Sequence, residues 1–413
     1  MPAARPETGE DNPASKVGLS SSYSDRAITA EETWRRVEPL LRQHGITRLA
    51  RLTGLDRIGI PVWNAVAPNA RSIVINQGKG ITDIDARVSA AMEALERAVA
   101  GQPQIERCDA SLSGLRSKGK FADPLNALVA ARQPDLGENE TVPWVEGRNL
   151  ADGAAVWLPY DAVALDRTVR SCRFWQSSDG LASGNTPEEA MFHGLLERVE
   201  RDAEVLWQFR STVIRHARCI DPASFGDPVL DALLARIASA GLHLRLFDMT
   251  SDIGVPCFVA LLAETAALNP RSARYLHVTN GSGAHPVAIR AAIRAVTEAA
   301  QSRLTFISGA RDDIDPGNFD RPLPEPIRLE LLAKPGACLP ATRSTGEGVS
   351  DLLKQLIADL ARVGIDRIYA VPLTAPDMAF SVVKVVVPGL ENPAGARRRP
   401  LGARAISRAL DPR

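Results

Sequence analysis

Apolar positions recur at helical spacing across 31–43 (EETWRRVEPLLRQ). This segment runs into Gly45, the alternating stretch ITRLARL, Thr53, a turn, and a second apolar stretch beginning at Pro61. The same order returns at 229–239 (VLDALLARIAS), with Gly241, HLRLFDM, Thr250 and then VPCFVALLA from Val255. A third copy runs from 350–362 (SDLLKQLIADLAR) through Gly364, IDRIYAVPL and Thr374 to FSVVKVVV from Phe380. Each copy reads as an amphipathic helix, a glycine stop, a strand, a turn and a second strand. A helix commonly ends on a left-handed residue, and glycine adopts that conformation without steric cost. The expected fold class is α/β, with helices packed on largely antiparallel sheet built from these related units. The strand segments are expected to share one sheet system, because an isolated two-stranded unit is marginal.

A second repeat is polar. GKGITDIDARVSAAMEALERAV and SGNTPEEAMFHGLLERVERDAE carry Gly80/Gly184, Thr82/Thr186, Ser89/His193, Glu93/Glu197, Glu96/Glu200 and Arg97/Arg201 at identical offsets. HPVAIRAAIRAVTEAAQSRL is a weaker relative, with Arg294, Glu298 and Gln301 at the same four-then-three spacing. Thr82 and Thr186 are placed as N-caps, and Pro187 stands at a first helical position. Positions i, i+4 and i+7 turn through about 700° and return to one helix face. Three helices therefore each display a polar strip: Ser89/Glu93/Glu96, His193/Glu197/Glu200 and Arg294/Glu298/Gln301.

An isolated Glu–Arg neighbour pair on a helix surface contributes little and is common. Here, however, the strip recurs opposite small residues such as Ala86, Ala90, Ala91 and Ala94, which permit close packing. Glutamates converging in a partly buried cleft repel one another unless cations share it. Oxygen ligands of this kind suit Mg²⁺, which typically works together with phosphate oxygens. Lys79, Arg97, Arg201 and Arg294 are the cations available to phosphate. Two readings stay open from the pattern alone: a Mg-nucleotide site and a structural charge network. Gly78-Lys79-Gly80 resembles the end of a phosphate loop. No complete P-loop or Gly-x-Gly-x-x-Gly string is present, so neither P-loop nor Rossmann architecture is supported. Of the six histidines only His193 falls on a repeated polar face, and none has zincin spacing. No side chain is assigned a covalent catalytic role.

Composition narrows the partners. With 49 basic and 49 acidic residues in 413, the formal charge is zero, which argues against a dedicated nucleic-acid or membrane-surface binder. No apolar run approaches the roughly 20 residues of a membrane span, and the start of the chain is not a signal segment. Five scattered cysteines without a Cys-x-x-Cys pair point to a reducing, cytoplasmic setting. Residues 1–20 read as a flexible tail, 21–391 as one domain, and 392–413, with six arginines, as a basic tail. The loop-rich stretch 102–151 and the acidic, proline-punctuated 311–327 read as excursions from that domain.

These strings resemble the YcaO family of ATP-dependent enzymes that modify peptide backbones. The strip segments carry the resemblance together with TGLDRIGIPVW (53–63), Gly78-Lys79-Gly80, Arg294-x-x-x-Glu298-x-x-Gln301 and Pro388-Gly389-Leu390-Glu391, over about residues 16–391. The resemblance implies a fold distinct from P-loop and Rossmann proteins, with ATP and Mg²⁺ held between the strip helices. It implies nucleotide contacts from Ser89, Glu93, Glu96, Arg97, Glu197, Glu200, Arg201, Arg294, Glu298 and Gln301, and the residue pattern adds Lys79 and His193 to that candidate set. Within that set, Glu93, Glu96, Glu197, Glu200 and Glu298 are the implied metal ligands. The implied reaction phosphorylates a peptide amide oxygen, turning a poor leaving group into phosphate. HGITRLARLTGLDRIGIPVWNAV is similar to the subgroup that works beside TfuA-like proteins in thioamide formation, which points to sulfide and an accessory protein as co-reactants. The alternatives are an azoline-forming cyclodehydratase acting on Cys, Ser or Thr, and an accessory factor for ribosomal-protein methylthiolation. A homodimer is compatible with the sequence.

Overall fold

Three glycines set the frame. Gly45, Gly241 and Gly364 have φ of 74°, 72° and 79°, each ending the helical segment where the repeat predicts a stop. The computed structural model describes residues 23–269, 273–311, 313–340 and 348–410, so the expected tail at 1–20 lies outside the described residues. The helices that matter here are α1 (Ala30–Val37), α2 (Asp83–Gly101), α3 (Pro187–Gln208), α4 (Pro228–Ser239), α5 (Ala288–Ser308), α6 (Val349–Arg362) and α7 (Ala403–Leu410).

The strands form three antiparallel sheets where one sheet system was expected. The first has the order β1 (Arg48–Arg51), β2 (Val62–Val66), β3 (Ile75–Lys79). The second runs β11 (Val278–Ala284), β10 (Cys257–Glu264), β9 (Leu242–Asp248), β8 (Cys219–Ile220). The third runs β4 (Cys108–Ala110), β5 (Val142–Asn149), β12 (Tyr369–Pro372), β13 (Ser381–Val386), β7 (Leu181–Gly184), with β6 (Ala155–Pro159) also on β5. The reason for the correction is that no unit stops at two strands. A closing strand (β3, β11 or β7) joins each pair, and a polar-strip helix follows it directly, so each unit has three strands under a helix cover.

The units are thus helix–strand–strand–strand–helix: α1-β1-β2-β3-α2 and α4-β9-β10-β11-α5. The third is assembled out of order, from α6-β12-β13 with β7-α3 taken from earlier in the chain. Each strip helix lies on its own closing strand and also touches the closing strand of another unit: α5 reaches β3, α2 reaches β7 and α3 reaches β11. Those contacts join the units in a closed ring. Glycine is needed where strand and helix cross. A Cβ on Gly78 would collide with the Ala86 and Ala90 backbone, and one on Gly281 with that of Ala295 and Ala299. The alanines facing the strips and the glycines of the closing strands are two sides of one packing requirement.

The apolar core crosses unit boundaries. Leu195 and Val199 of α3, Phe247 and Cys257 of the second sheet, Leu356 and Leu360 of α6, and Val383 and Val385 of β13 belong to one buried cluster. The loop-rich 102–151 stretch supplies β4 and β5 to the third sheet. In the 392–410 region α7 docks on the body. Arg404 bonds Asp202 twice at 2.9 Å, and the buried Glu391 carboxylate accepts from the Gly402 and Ala405 N–H groups at 2.8 Å. The five cysteines are free thiols. Among the described residues, no helix is long and apolar enough to cross a membrane.

Candidate functional site: an acidic cleft between three helices

Local capping fixes where each strip begins. Thr82 accepts from the Asp85 N–H and Asp85 answers to the Thr82 N–H, while Thr186 accepts from the Glu189 N–H with Pro187 opening the helix. Along α2, α3 and α5 the strip positions Ser89, Glu93, Glu96, His193, Glu197, Arg294, Glu298 and Gln301 are half-buried, whereas the residues between them are mostly buried. Glu200 is the most enclosed of the strip glutamates. The strips therefore border an internal cleft, and not an ordinary solvated face.

At each junction of the ring, a residue followed by a glycine at or next to the C-terminal end of a closing strand bonds the neighbouring helix. Lys79 Nζ lies 2.6 Å from Glu298 Oε2, Ser183 Oγ donates to the Met92 carbonyl at 3.3 Å, and Ser282 Oγ donates to Glu204. Further bonds hold the acids. The Ala284 N–H donates to Glu200 and the Gly180 N–H to Glu197, both at 3.0 Å. Gln301 turns aside to the Gln77 carbonyl at 3.1 Å. Arg97 bonds Glu93 and Ser178, each at 3.3 Å. Arg201 lies among four acids: Glu204 at 2.7 Å, Glu197 at 3.6 Å, Asp179 at 3.7 Å and Glu200 at 3.8 Å.

The electrostatics follow from this crowding. Burial pushes the Glu96 carboxyl well above the usual carboxylate range, and Glu93 and Glu197 add to it against Arg97. Burial raises Glu200 to about 7 against the pull of Arg201, with Glu298 and Glu204 adding. Burial also raises Glu197, opposed by Arg201. Glu298 goes the other way: burial works against its charge, but Lys79 and Arg201 hold it below its ordinary value. Several carboxylates thus share a space that favours fewer negative charges than they carry. Among the described residues no three of Asp, Glu, His or Cys are drawn together as a finished metal cage. The all-oxygen donor set and the raised Glu96 and Glu200 nevertheless fit a hard divalent cation whose remaining ligands come from a phosphate group.

The structure brings together Lys79, Glu93, Glu96, Arg97, Glu197, Glu200, Arg201 and Glu298. Ser89 sits on the same face of α2. His193 and Arg294 lie toward a strap formed by residues 23–29. Burial lowers the His193 imidazole well below its usual value, with Arg26, Arg294 and His285 contributing, and its Nε2 is buried without a hydrogen-bond partner. In the strap, Asp25 bonds His285 at 2.8 Å and also pairs with Arg290, while Arg26 bonds the Ser183 carbonyl at 3.1 Å and Glu189 at 2.6 Å. The strap, Asp179 and Glu204 were not picked out from sequence. Glu204 alone had a signal, as the next turn of the His193/Glu197/Glu200 strip.

A ring of related α/β units, with acids and arginines gathered between its three strip helices, defines the class of fold to which this chain belongs. Residues 77–391 match the family described as YcaO cyclodehydratase, ATP- and Mg²⁺-binding, and the chain belongs to the YcaO family. It is 40% identical over 399 residues to a Rhizobium leguminosarum bv. trifolii protein from the tfuA 3′ region, covering 95% of this chain and 94% of that one. Among solved structures it resembles YcaO from Methanopyrus kandleri bound with AMPPCP and Mg²⁺, at 25% identity and a TM-score of 0.68 over 89% of this chain and 92% of that one. A heterocyclase in complex with substrate and cofactor shares the fold at 22% identity and a TM-score of 0.74. That match covers 89% of this chain but spans only 53% of the heterocyclase.

Proposed function

We propose that the chain binds Mg-ATP in the three-helix cleft and activates a peptide-backbone amide oxygen by phosphorylation, in the service of thioamide formation with external sulfide and a TfuA-like partner. The observation that carries the nucleotide reading is the convergence of Glu93, Glu96, Glu197, Glu200 and Glu298 with Lys79, Arg97 and Arg201. The similarity to the protein from the tfuA 3′ region supports the choice of partner and, through it, of sulfur chemistry.

Under this reading the glutamates hold Mg²⁺, which when bound offsets negative charge on the phosphoryl group in transfer. Arg97 and Arg201, each fixed by an i,i+4 glutamate, present guanidinium groups to phosphate oxygens. The Gly180 and Ala284 N–H groups fix Glu197 and Glu200, so the cleft is organised before ligand enters. Ser89, His193, Arg294 and Gln301 complete the proposed nucleotide contacts. The chemistry asks for positioning and charge stabilisation, with no covalent intermediate on a side chain. A cytoplasmic setting accords with the free thiols.

Calorimetry should show Mg²⁺-dependent ATP binding that is lost in Glu96→Gln and in Glu200→Gln while circular dichroism stays native. Unchanged affinity in both folded variants refutes the nucleotide site. With a peptide substrate, Mg-ATP, sulfide and the TfuA-like protein, the product should gain mass by the exchange of oxygen for sulfur. A product lighter by one water at Cys, Ser or Thr would assign azoline formation instead. ATP binding without any peptide-dependent turnover would assign an accessory role.

A further inference from the structure

A cavity of about 340 Å³ lies beside the cleft, with Asp179 shared between them: Asp179 lines the cavity and faces Arg201 at 3.7 Å on the cleft side. Its volume falls at the lower end of what small-ligand sites occupy. Trp175 and Leu128 form an apolar wall, and Arg198, Lys384 and Asn126 supply the polar lining. Leu125 holds the turn over it in the left-handed region, at φ 51°, a conformation that a branched side chain adopts only under constraint.

Arg198 is only 2% exposed; its Nη2 donates to the Glu391 carbonyl at 2.6 Å, but its Nη1 has no hydrogen-bond partner. Lys384, 5% exposed, gives two of its three N–H bonds to the Ser177 and Asp179 carbonyls at 2.7 and 2.8 Å, which leaves one donor. Asn126 Oδ1 is an acceptor without a partner. An unmet buried donor is costly to keep, so cations held in this state are suited to an incoming acceptor. Both acids of the lining have other partners: Asp179 accepts from Ser177 and faces Arg201 as well as Arg198, and Asp123 accepts from Tyr369 and the Leu125 N–H and pairs with Arg367, so the lining keeps three cations against two acids. The missing ligand is therefore an anion that also carries an N–H for Asn126 and a short apolar stem for Trp175. One amino-acid residue with its flanking peptide bonds has that chemistry.

We propose that this cavity is a subsite that seats one acidic side chain of the peptide acted on in the neighbouring cleft, an inference that rests on the peptide-modifying reading above. The carboxylate meets Arg198 and Lys384, and the backbone N–H of the same residue meets Asn126. The test is calorimetry on the full chain with blocked tripeptides Ac-Gly-Glu-Gly-NH₂ and Ac-Gly-Gln-Gly-NH₂, and with Ac-Gly-Gly bearing a free terminal carboxylate. The Glu peptide should bind about tenfold more tightly than the Gln peptide, as one charge-assisted contact allows. Arg198 also anchors the Glu391 carbonyl, so the informative variant is Asn126→Asp, which keeps the shape and supplies the anion internally. It should abolish the preference while Mg-ATP binding persists. Equal affinity for the Glu and Gln peptides, a preference unchanged in Asn126→Asp, or binding of the terminal carboxylate alone overturns the subsite. Loss of Mg-ATP binding in the wild-type chain would refute the nucleotide reading without altering the Glu-over-Gln preference, so the two fail separately.

Discussion

Replacing Arg404 by Met should destabilise the whole domain, although the residue lies in the basic stretch beyond Glu391. Arg404 places Nε and Nη2 each 2.9 Å from the two Asp202 oxygens, and Asp202 is fully buried. Its other partner, Asp252, is about half exposed, so that pair is worth under about 1 kcal/mol. Without Arg404, the Asp202 carboxylate keeps one direct hydrogen bond, from the Glu391 N–H at 2.9 Å. A buried charge stripped of its partner typically costs about 3–5 kcal/mol, far above the surface term. Urea denaturation followed by tryptophan fluorescence should show a lower midpoint at unchanged slope. Asp202→Asn combined with Arg404→Met should recover at least half of the loss, because the unpaired charge is gone. A loss below about 1 kcal/mol in the single variant would refute the buried ion pair as the clamp that holds α7 to α3.

Gly281→Ala should cost more than about 3 kcal/mol or abolish soluble expression, since its Cβ meets the Ala295 and Ala299 backbone. Gly54→Ala, with open space around it, should stay within about 0.5 kcal/mol of wild type by the same denaturation assay. Burial lowers Lys384 from 10.5 to about 8, so between those values the unfolded chain binds the extra proton and stability should rise with pH. The rise attributable to Lys384 should reach about 3 kcal/mol at alkaline pH and be missing from Lys384→Met; parallel pH profiles of the two proteins would refute it.

The three helix stops and all three polar strips were legible because each is a local pattern. Glycine after an amphipathic run and an i, i+4, i+7 series need only a single helix to be recognised. The ring was not legible. Its bonds run from a glycine-preceding residue at the end of a strand to a helix of another unit, and nothing near Ser183 or Ser282 in the chain marks those partners. The closing strand of the third unit escaped for a related reason: β7 precedes the unit's other two strands, whereas a search for repeats assumes that chain order is preserved. Lys384 reads as one polar residue in the strand FSVVKVVV. Only the packed structure shows that it ends against the Ser177 and Asp179 carbonyls, inside the protein.

The out-of-order third unit also decides when the cleft can exist during synthesis. A nascent chain that has emerged through Ser308 can already close its first two units, each contiguous in sequence. At that moment α3 has left the ribosome with Glu197 and Glu200 in place, but β7 still lacks β13, its partner across residues 381–384. That strand edge stays unpaired while the intervening chain is made, and an open edge of this kind invites pairing with other chains. Nor can bound nucleotide help early, because two of the acids it would need hang from an unfinished sheet. Folding of this protein is therefore gated by its last strand, and its vulnerability to aggregation is greatest in the interval just before that strand arrives.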